Sequence, residues 1–305
     1  MYTKILVPLD GSPVAEQVLP YVRFLAKASG LPIELCQAVE PEQIAVYSGT
    51  RQGRELDIVK ADLKGKAADY LRKVESSFSK PLRVTSSIEI GKPADVIVEK
   101  AAAQPATLIT MATHGRSGVQ RWVLGSVAER VIQSARSHVF LLRANEPKAI
   151  EASLKTVIVP LDGSPLAEEV LPYVSEMAKK MDLEVLLVRV FNLPVLLYGG
   201  EDTYATDLTE ILEVAKNEAK RYLEEKVAQL KIIEGLKRVS SVYLEGESAG
   251  QIIDLARKTP DNFIAMSTHG RSGIGRLVLG SVTSRVVRHS GDPVLVVRAS
   301  DKALA

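Results

Sequence analysis

Short apolar runs alternate with longer stretches of helical period along the chain. KILVPLD (4–10) is a β-rich run closed by a turn signal. Ser12 and Pro13 come next, residue types suited to an N-cap and to a first helical turn. They predict a helix running to about Ser29 and stopped by Gly30. The pattern then predicts a strand at 32–39, a charged helix at 54–79, a strand at 83–90 (RVTSSIEI) and a short helix from Pro93. The strand TLITMA (107–112), a THGRSG loop, a helix to 135 and a last strand HVFLLR (138–143) complete the series. The same order then begins again. TVIVPLD leads to a helix ending near 180, LEVLLVRV, a helix at 205–230, RVSSVYLE, a helix at 248–257, FIAMS, a helix to 289 and PVLVVR. Strands that alternate with helices predict an α/β fold with a mostly parallel sheet covered by helices on both faces.

The recurrence extends to the letters. ILVPLDGSPVAEQVLPYV (5–22) returns as VIVPLDGSPLAEEVLPYV (157–174), an offset of 152 positions. MATHGRSGVQRWVLGSVAERV (111–131) returns as MSTHGRSGIGRLVLGSVTSRV (266–286), an offset of 155. The chain therefore reads as two tandem copies of one domain, 1–145 and 153–301, joined by a polar stretch, NEPKAIEAS. Its 305 residues are enough for each copy to bury a core of its own. A formal net charge of +2 gives no reason to expect a nucleic-acid partner. No apolar run approaches the roughly 20 residues of a membrane span, and no basic segment followed by a long apolar one suggests a secretory signal. One cysteine, Cys36, excludes an internal disulfide and fits a cytoplasmic location. Its apolar surroundings suggest a buried structural thiol.

The segments that repeat best are those that could carry chemistry. LDGSP leaves the first strand of each copy and THGRSG leaves the fourth. In an open parallel sheet ligands bind beyond such carboxyl ends, where the strand order reverses. Nine residues separate Gly115 from Gly125, and the same nine separate Gly270 from Gly280. Glycines permit close backbone approach, and exposed N–H groups can cradle an anion. Gly125-Ser126-Val127 and Gly280-Ser281-Val282 would add N–H groups at a helix start, and Arg116 and Arg271 would add charge. The plainer alternative is a strand-to-helix turn that needs glycine. Asp10 and Asp162 can accept from a ribose hydroxyl, or can begin a turn and cap the next helix. His114 and His269 recur, but one histidine and a distant aspartate do not make a metal site, so no metal ligands and no catalytic residues are assigned. His138 and His289 are expected at the surface. Trp122 is expected in packing, and NLPVLLYGG (192–200) either folds over its domain or forms a contact surface.

These residues resemble the universal stress protein family in its tandem two-domain form. The resemblance covers nearly the whole chain twice and rests on Gly-x9-Gly-Ser beside the first-strand Asp. The family's first signature glycine is replaced by Ala112 in one copy and Ser267 in the other. The resemblance implies, for each copy, a five-stranded Rossmann-like sheet of the adenine nucleotide alpha hydrolase type. It implies ATP, or ADP or AMP, lying across the strand ends, with Mg2+ as a companion of the phosphates. Asp10 and Asp162 would hold the ribose; Pro8, Leu9, Pro160 and Leu161 would wall the site; Ala38 and Val190 would contact adenine. Met111, Ala112, Met266 and Ser267 would line the nucleotide site, and the loop residues His114, Gly115, Arg116, Gly118, His269, Gly270, Arg271 and Gly273, with the two Gly-Ser-Val segments, would hold the phosphates. It implies a nucleotide-dependent sensor or switch in the stress response. The alternatives are a slow ATPase or autophosphorylating enzyme using Ser126 or Ser281, and a nucleotide-free interaction module. Ser267 can donate a hydrogen bond where Ala112 cannot, so tighter binding is expected in the second copy. The apolar last strands are expected to pair with each other as an intramolecular pseudo-dimer, or with a second chain.

Overall fold

The structure, a computed structural model, describes residues 2–42, 44, 54–113, 124–143, 151–192, 205–268 and 279–299. The chain divides into two compact units, residues 1–153 and 154–305. The first contains β1 (Lys4–Pro8), a 3-10 turn (Ala15–Val18), α1 (Leu19–Ser29), β2 (Ile33–Val39) and α2 (Arg54–Ser76). It continues with β3 (Val84–Ile90), α3 (Pro93–Ala102), β4 (Thr107–Ala112), α4 (Ser126–Ser134) and β5 (His138–Leu142). The second contains β6 (Thr156–Pro160), α5 (Pro165–Glu168), α6 (Leu171–Met181), β7 (Glu184–Phe191) and α7 (Ala205–Ile232). Its remaining elements are β8 (Val239–Glu245), α8 (Ser248–Lys258), β9 (Asn262–Ser267), α9 (Ser281–His289) and β10 (Val294–Val297).

In the first unit the parallel strands lie in the order β3-β2-β1-β4-β5. In the second the order is β8-β7-β6-β9-β10, again parallel throughout. The expected α/β architecture is therefore present in each unit. The direction of progression reverses beside the central strand, between β1 and β4 and between β6 and β9. Right-handed crossovers then put α1 and α2 on one face and α3 and α4 on the other. α3 packs on α4, and α8 on α9.

Burial follows this layering. Ile5, Leu6 and Val7 of β1, like Val157, Ile158 and Val159 of β6, are fully buried, as both faces of a central parallel strand must be. The charged helices bury one stripe, with Ala67, Leu71 and Val74 in α2 and Ala219, Leu223 and Leu230 in α7. Their outer faces carry i,i+4 ion pairs such as Asp62–Lys66 at 2.7 Å.

The helix expected from Pro13 to Ser29 is interrupted. Pro20 and Pro172 stand in the first turns of α1 and α6. Proline has no N–H, and its ring collides with the carbonyl four residues earlier. The ladder loses a bond there, and a 3-10 turn in one unit and α5 in the other precede a fresh start at a position where proline is tolerated. Gly30 ends α1 in the left-handed conformation at φ 71°, as its glycine predicts.

His138 departs from its expected surface position. It is half-buried, with Tyr2 Oη 2.9 Å from Nδ1 and the two rings edge to face. Burial pushes its pKa down to about 4.

Candidate functional site

Each unit has a cleft at the carboxyl ends of its central strands. In the first, Asp10 follows β1, and its Oδ1 accepts from the Ser12 N–H at 2.9 Å. In the second, Asp162 Oδ1 accepts from both the Ser164 N–H at 2.9 Å and the Ser164 hydroxyl at 2.6 Å. Between each pair stands a glycine in the left-handed region, Gly11 at φ 84° and Gly163 at φ 87°, which an L side chain would strain. The serine oxygens then accept from Ala15 and Ala167 N–H, at 3.1 and 3.2 Å. The turn thus sets each carboxylate at the mouth of the crevice, while Ser164 caps the helix that begins at Pro165 and Ser12 accepts from the first residue of the 3-10 turn.

The far wall is built as a second clasp. Thr113 N–H donates to the Leu142 carbonyl at 2.8 Å, and Gly125 N–H donates to the Thr113 carbonyl at 2.8 Å. Thr268, Val297 and Gly280 repeat this at 2.9 and 2.8 Å. The clasp brings the start of α4 or α9 back to the end of β4 or β9. It also corrects one expectation: the Gly125 and Gly280 N–H groups are engaged by protein carbonyls. The anion-seeking N–H groups are those of Ser126, Val127 and Ala128, and of Ser281, Val282 and Thr283, which have no intrahelical acceptors in a first turn.

The cleft of the first unit is about 500 Å³, and Pro8, Leu9, Asp10, Ala38, Met111, Ala112, Gly125, Ser126 and Val127 all line it. That of the second is about 400 Å³, and Pro160, Leu161, Asp162, Val190, Met266, Ser267, Gly280, Ser281 and Val282 line it. Every described residue expected at the site is thereby brought to one cavity in its own unit. His114, Gly115, Arg116, Gly118, His269, Gly270, Arg271 and Gly273 lie outside the described residues, as do Trp122 and 193–200.

The cavities differ in detail. Cys36 walls the first, where Val188 stands in the second. Its thiol is buried, which pushes its pKa up to about 11 and suits a packing role. Ser267 is buried, and its Oγ has no hydrogen-bond partner among the described residues. The Thr283 hydroxyl donates to the Ser267 carbonyl at 2.9 Å, leaving that side chain unused. A buried hydroxyl without a partner costs about 1–3 kcal/mol, so a ligand that accepts from it recovers that energy. Arg189 also lines the second cavity; it pairs with Glu218 at 3.3 Å and stacks 4.7 Å over the Tyr222 ring.

Several lining residues escape the sequence pattern. Cys36 and Val188 share a strand face with Ala38 and Val190, which the two-residue period could have revealed. Arg130, which lines the first cavity, lies inside the repeated segment and is matched by Arg285. Lys92, Glu40 and Glu42 also line the first cavity and carry no repeated signal.

A parallel α/β unit with an Asp-bearing turn facing a Gly-Ser helix start, built twice, defines a Rossmann-like protein of duplicated form. The family model for the universal stress protein family matches residues 1–143 and again 153–298. The chain belongs to that family, in its tandem two-domain form. A universal stress protein of Methanocaldococcus jannaschii is 32% identical over 149 residues, 48% of this chain and 84% of that one. One from Mycolicibacterium smegmatis is 22% identical over 298 residues and spans 96% of both chains. The crystal structure of a universal stress protein from Archaeoglobus fulgidus aligns over 99% of both chains, with a TM-score of 0.64 at 21% identity. Among the described residues, no helix is long and apolar enough to cross a membrane.

Proposed function

We propose that each unit binds one adenine nucleotide, ATP or its ADP or AMP relatives, at its strand carboxyl ends. The protein would act through that occupancy as a cytoplasmic sensor or switch in the stress response. The observation that carries this reading is the convergence, in each unit, of the carboxylate, the strand 2 wall and the Gly-Ser helix start on a single cavity. Volumes of about 400 and 500 Å³ suit a nucleotide.

The donor set fits the parts of such a ligand. Asp10 and Asp162 are acceptors for ribose hydroxyls. The first-turn N–H groups of α4 and α9 are donors for phosphate. Ala38 and Val190 offer an apolar wall for the base. Mg2+, when bound, would neutralise phosphate charge and would take its ligands chiefly from phosphates and water. Mass spectrometry of small molecules released from the denatured full-length protein, followed by calorimetry with ATP, ADP and AMP, tests the reading. Micromolar binding near two equivalents is expected; no binding of any of the three would overturn it.

The apolar last strands, 138–143 and 293–298, support a second part of the reading, that they pair within the chain. Small-angle scattering should show fixed domain spacing that loosens in Leu141→Pro, because proline removes a ladder donor. A wild-type profile of two freely jointed bodies would refute the pairing.

A further inference from the structure

We propose that Tyr222 and Lys226 of α7 are positioning residues for Asp162: by gripping Glu168 they fix the short helix whose cap sets the Asp162 carboxylate at the second cavity. The proposal rests on the nucleotide reading above and gives Asp162 the ribose role. It starts from three side chains, Tyr222, Lys226 and Glu168, that are not among the residues lining that cavity.

Glu168 is the last residue of α5. Its Oε1 accepts from the Tyr222 hydroxyl at 2.8 Å, and its Oε2 accepts from Lys226 Nζ at 2.6 Å. Both carboxylate oxygens are thus held by α7, where Tyr222 and Lys226 stand one turn apart on the same face. The grip is shielded from water, with the Lys226 side chain 17% and the Glu168 side chain 27% exposed. The Tyr222 ring is itself pinned, with the Arg189 guanidinium 4.7 Å and the Lys226 ammonium 5.7 Å from its centre. Burial, and next the bond to Glu168, raise the Tyr222 pKa, so the hydroxyl keeps its proton and donates.

The grip reaches Asp162 through α5. At the start of that helix the Ser164 hydroxyl accepts from Ala167 N–H at 3.2 Å, and the Ser164 carbonyl accepts from Glu168 N–H at 3.2 Å. The same serine donates its N–H and its hydroxyl to Asp162 Oδ1. A helix of four residues has little stability of its own, so its placement depends on what holds it from outside. Leu166 and Ala167 are buried and pack its inner side, and Glu168 fixes its outer side to α7.

The duplication separates this grip from the turn it serves. Glu16 and Tyr70 stand 152 positions before Glu168 and Tyr222, the offset of the repeated turn, but Lys226 is matched by Val74 and Arg189 by Gln37. Val74 is buried and carries no donor. The lysine half of the grip therefore belongs to the second unit.

The test uses the full-length chain carrying Gly125→Val, so that calorimetry reads the second cavity, with ATP and 2′,3′-dideoxy-ATP as probes. Tyr222→Phe and Lys226→Val should each lower ATP affinity about three- to tenfold. The dideoxy nucleotide has no ribose hydroxyl for Asp162 to accept from. Its affinity should stay within about twofold, so the advantage of ATP over it should shrink. Lys226→Arg keeps a charged donor for Glu168 and should preserve that advantage. In the ligand-free protein the Ser164 amide should exchange with solvent about tenfold faster in Tyr222→Phe and Lys226→Val. Should Tyr222→Phe fail to fold, Lys226→Val, which installs the residue of the first unit, carries the same test. Equal losses for the two nucleotides would reduce the grip to general stability. Unchanged ATP affinity would show that the turn stands without it, and equal wild-type affinities for the two nucleotides would remove the ribose role. Each of these outcomes overturns the proposal and leaves nucleotide binding intact. Failure of the wild-type chain to bind ATP in either cavity would overturn the nucleotide reading instead, and unchanged Ser164 exchange would then refute the grip by itself.

Discussion

Gly125→Val should abolish nucleotide binding in the first unit and Gly280→Val in the second, each lowering the affinity of its own cavity about a hundredfold. Both glycines sit at N-caps with ordinary backbone angles, φ −59° and ψ 142° for Gly125, φ −55° and ψ 150° for Gly280. A β-branched residue can adopt such angles without strain, and the N–H bonds to Thr113 and Thr268 that close the clasp are retained. The fold should therefore survive. The two added methyl groups would occupy space in the cavity beside the first-turn N–H groups of α4 or α9. Crowding of this kind costs about 1–3 kcal/mol, and the loss of phosphate contacts adds to it. Calorimetry on the full-length protein should show the stoichiometry falling from about two to about one in either single variant. Unchanged affinity in both would mean that phosphates do not lie at these helix starts.

The duplication makes the architecture legible, because drift between the copies left the strand exits conspicuous against their surroundings. Pattern alone locates the strands and helices of both units. It does not see the break at Pro20 and Pro172, where Ser12-Pro13 and Ser164-Pro165 are so strong a helix-start signal that the second proline is easily read as an internal residue. The part of the site that both copies share is legible by the same comparison. What the copies do not share is invisible to it. Lys226 stands where Val74 does, and a comparison that seeks sameness discards them. The vacant hydroxyl of Ser267 needs burial and the accounting of nearby donors, which only coordinates provide. The burial of His138 escapes the pattern because its partner, Tyr2, is 136 residues away and precedes the segment whose letters recur.

Asp162 allows the turn-building role and the ligand-holding role to be separated. Its Oδ1 takes the Ser164 N–H and the Ser164 hydroxyl, bonds that fix the turn before α5. Asp162→Ala removes both, and with charged acceptors worth about 1.5–3 kcal/mol each, the second unit should lose about 2–4 kcal/mol of stability once water compensates in part. Asp162→Asn keeps an oxygen for the same two bonds and should cost less than about 1 kcal/mol. If the carboxylate only builds the turn, nucleotide affinity should follow stability, and the Asn variant should bind like wild type. If it also accepts from a ribose hydroxyl, Asn replaces an acceptor with a donor, and affinity should fall about tenfold while the fold stays intact. Urea unfolding and calorimetry on the same two variants read the two quantities independently. The ribose role predicts a stable Asn variant that binds poorly, with 2′-deoxyadenosine nucleotides losing their disadvantage in it if the 2′-hydroxyl is the group held. Wild-type affinity in Asp162→Asn would leave the aspartate as a turn residue alone.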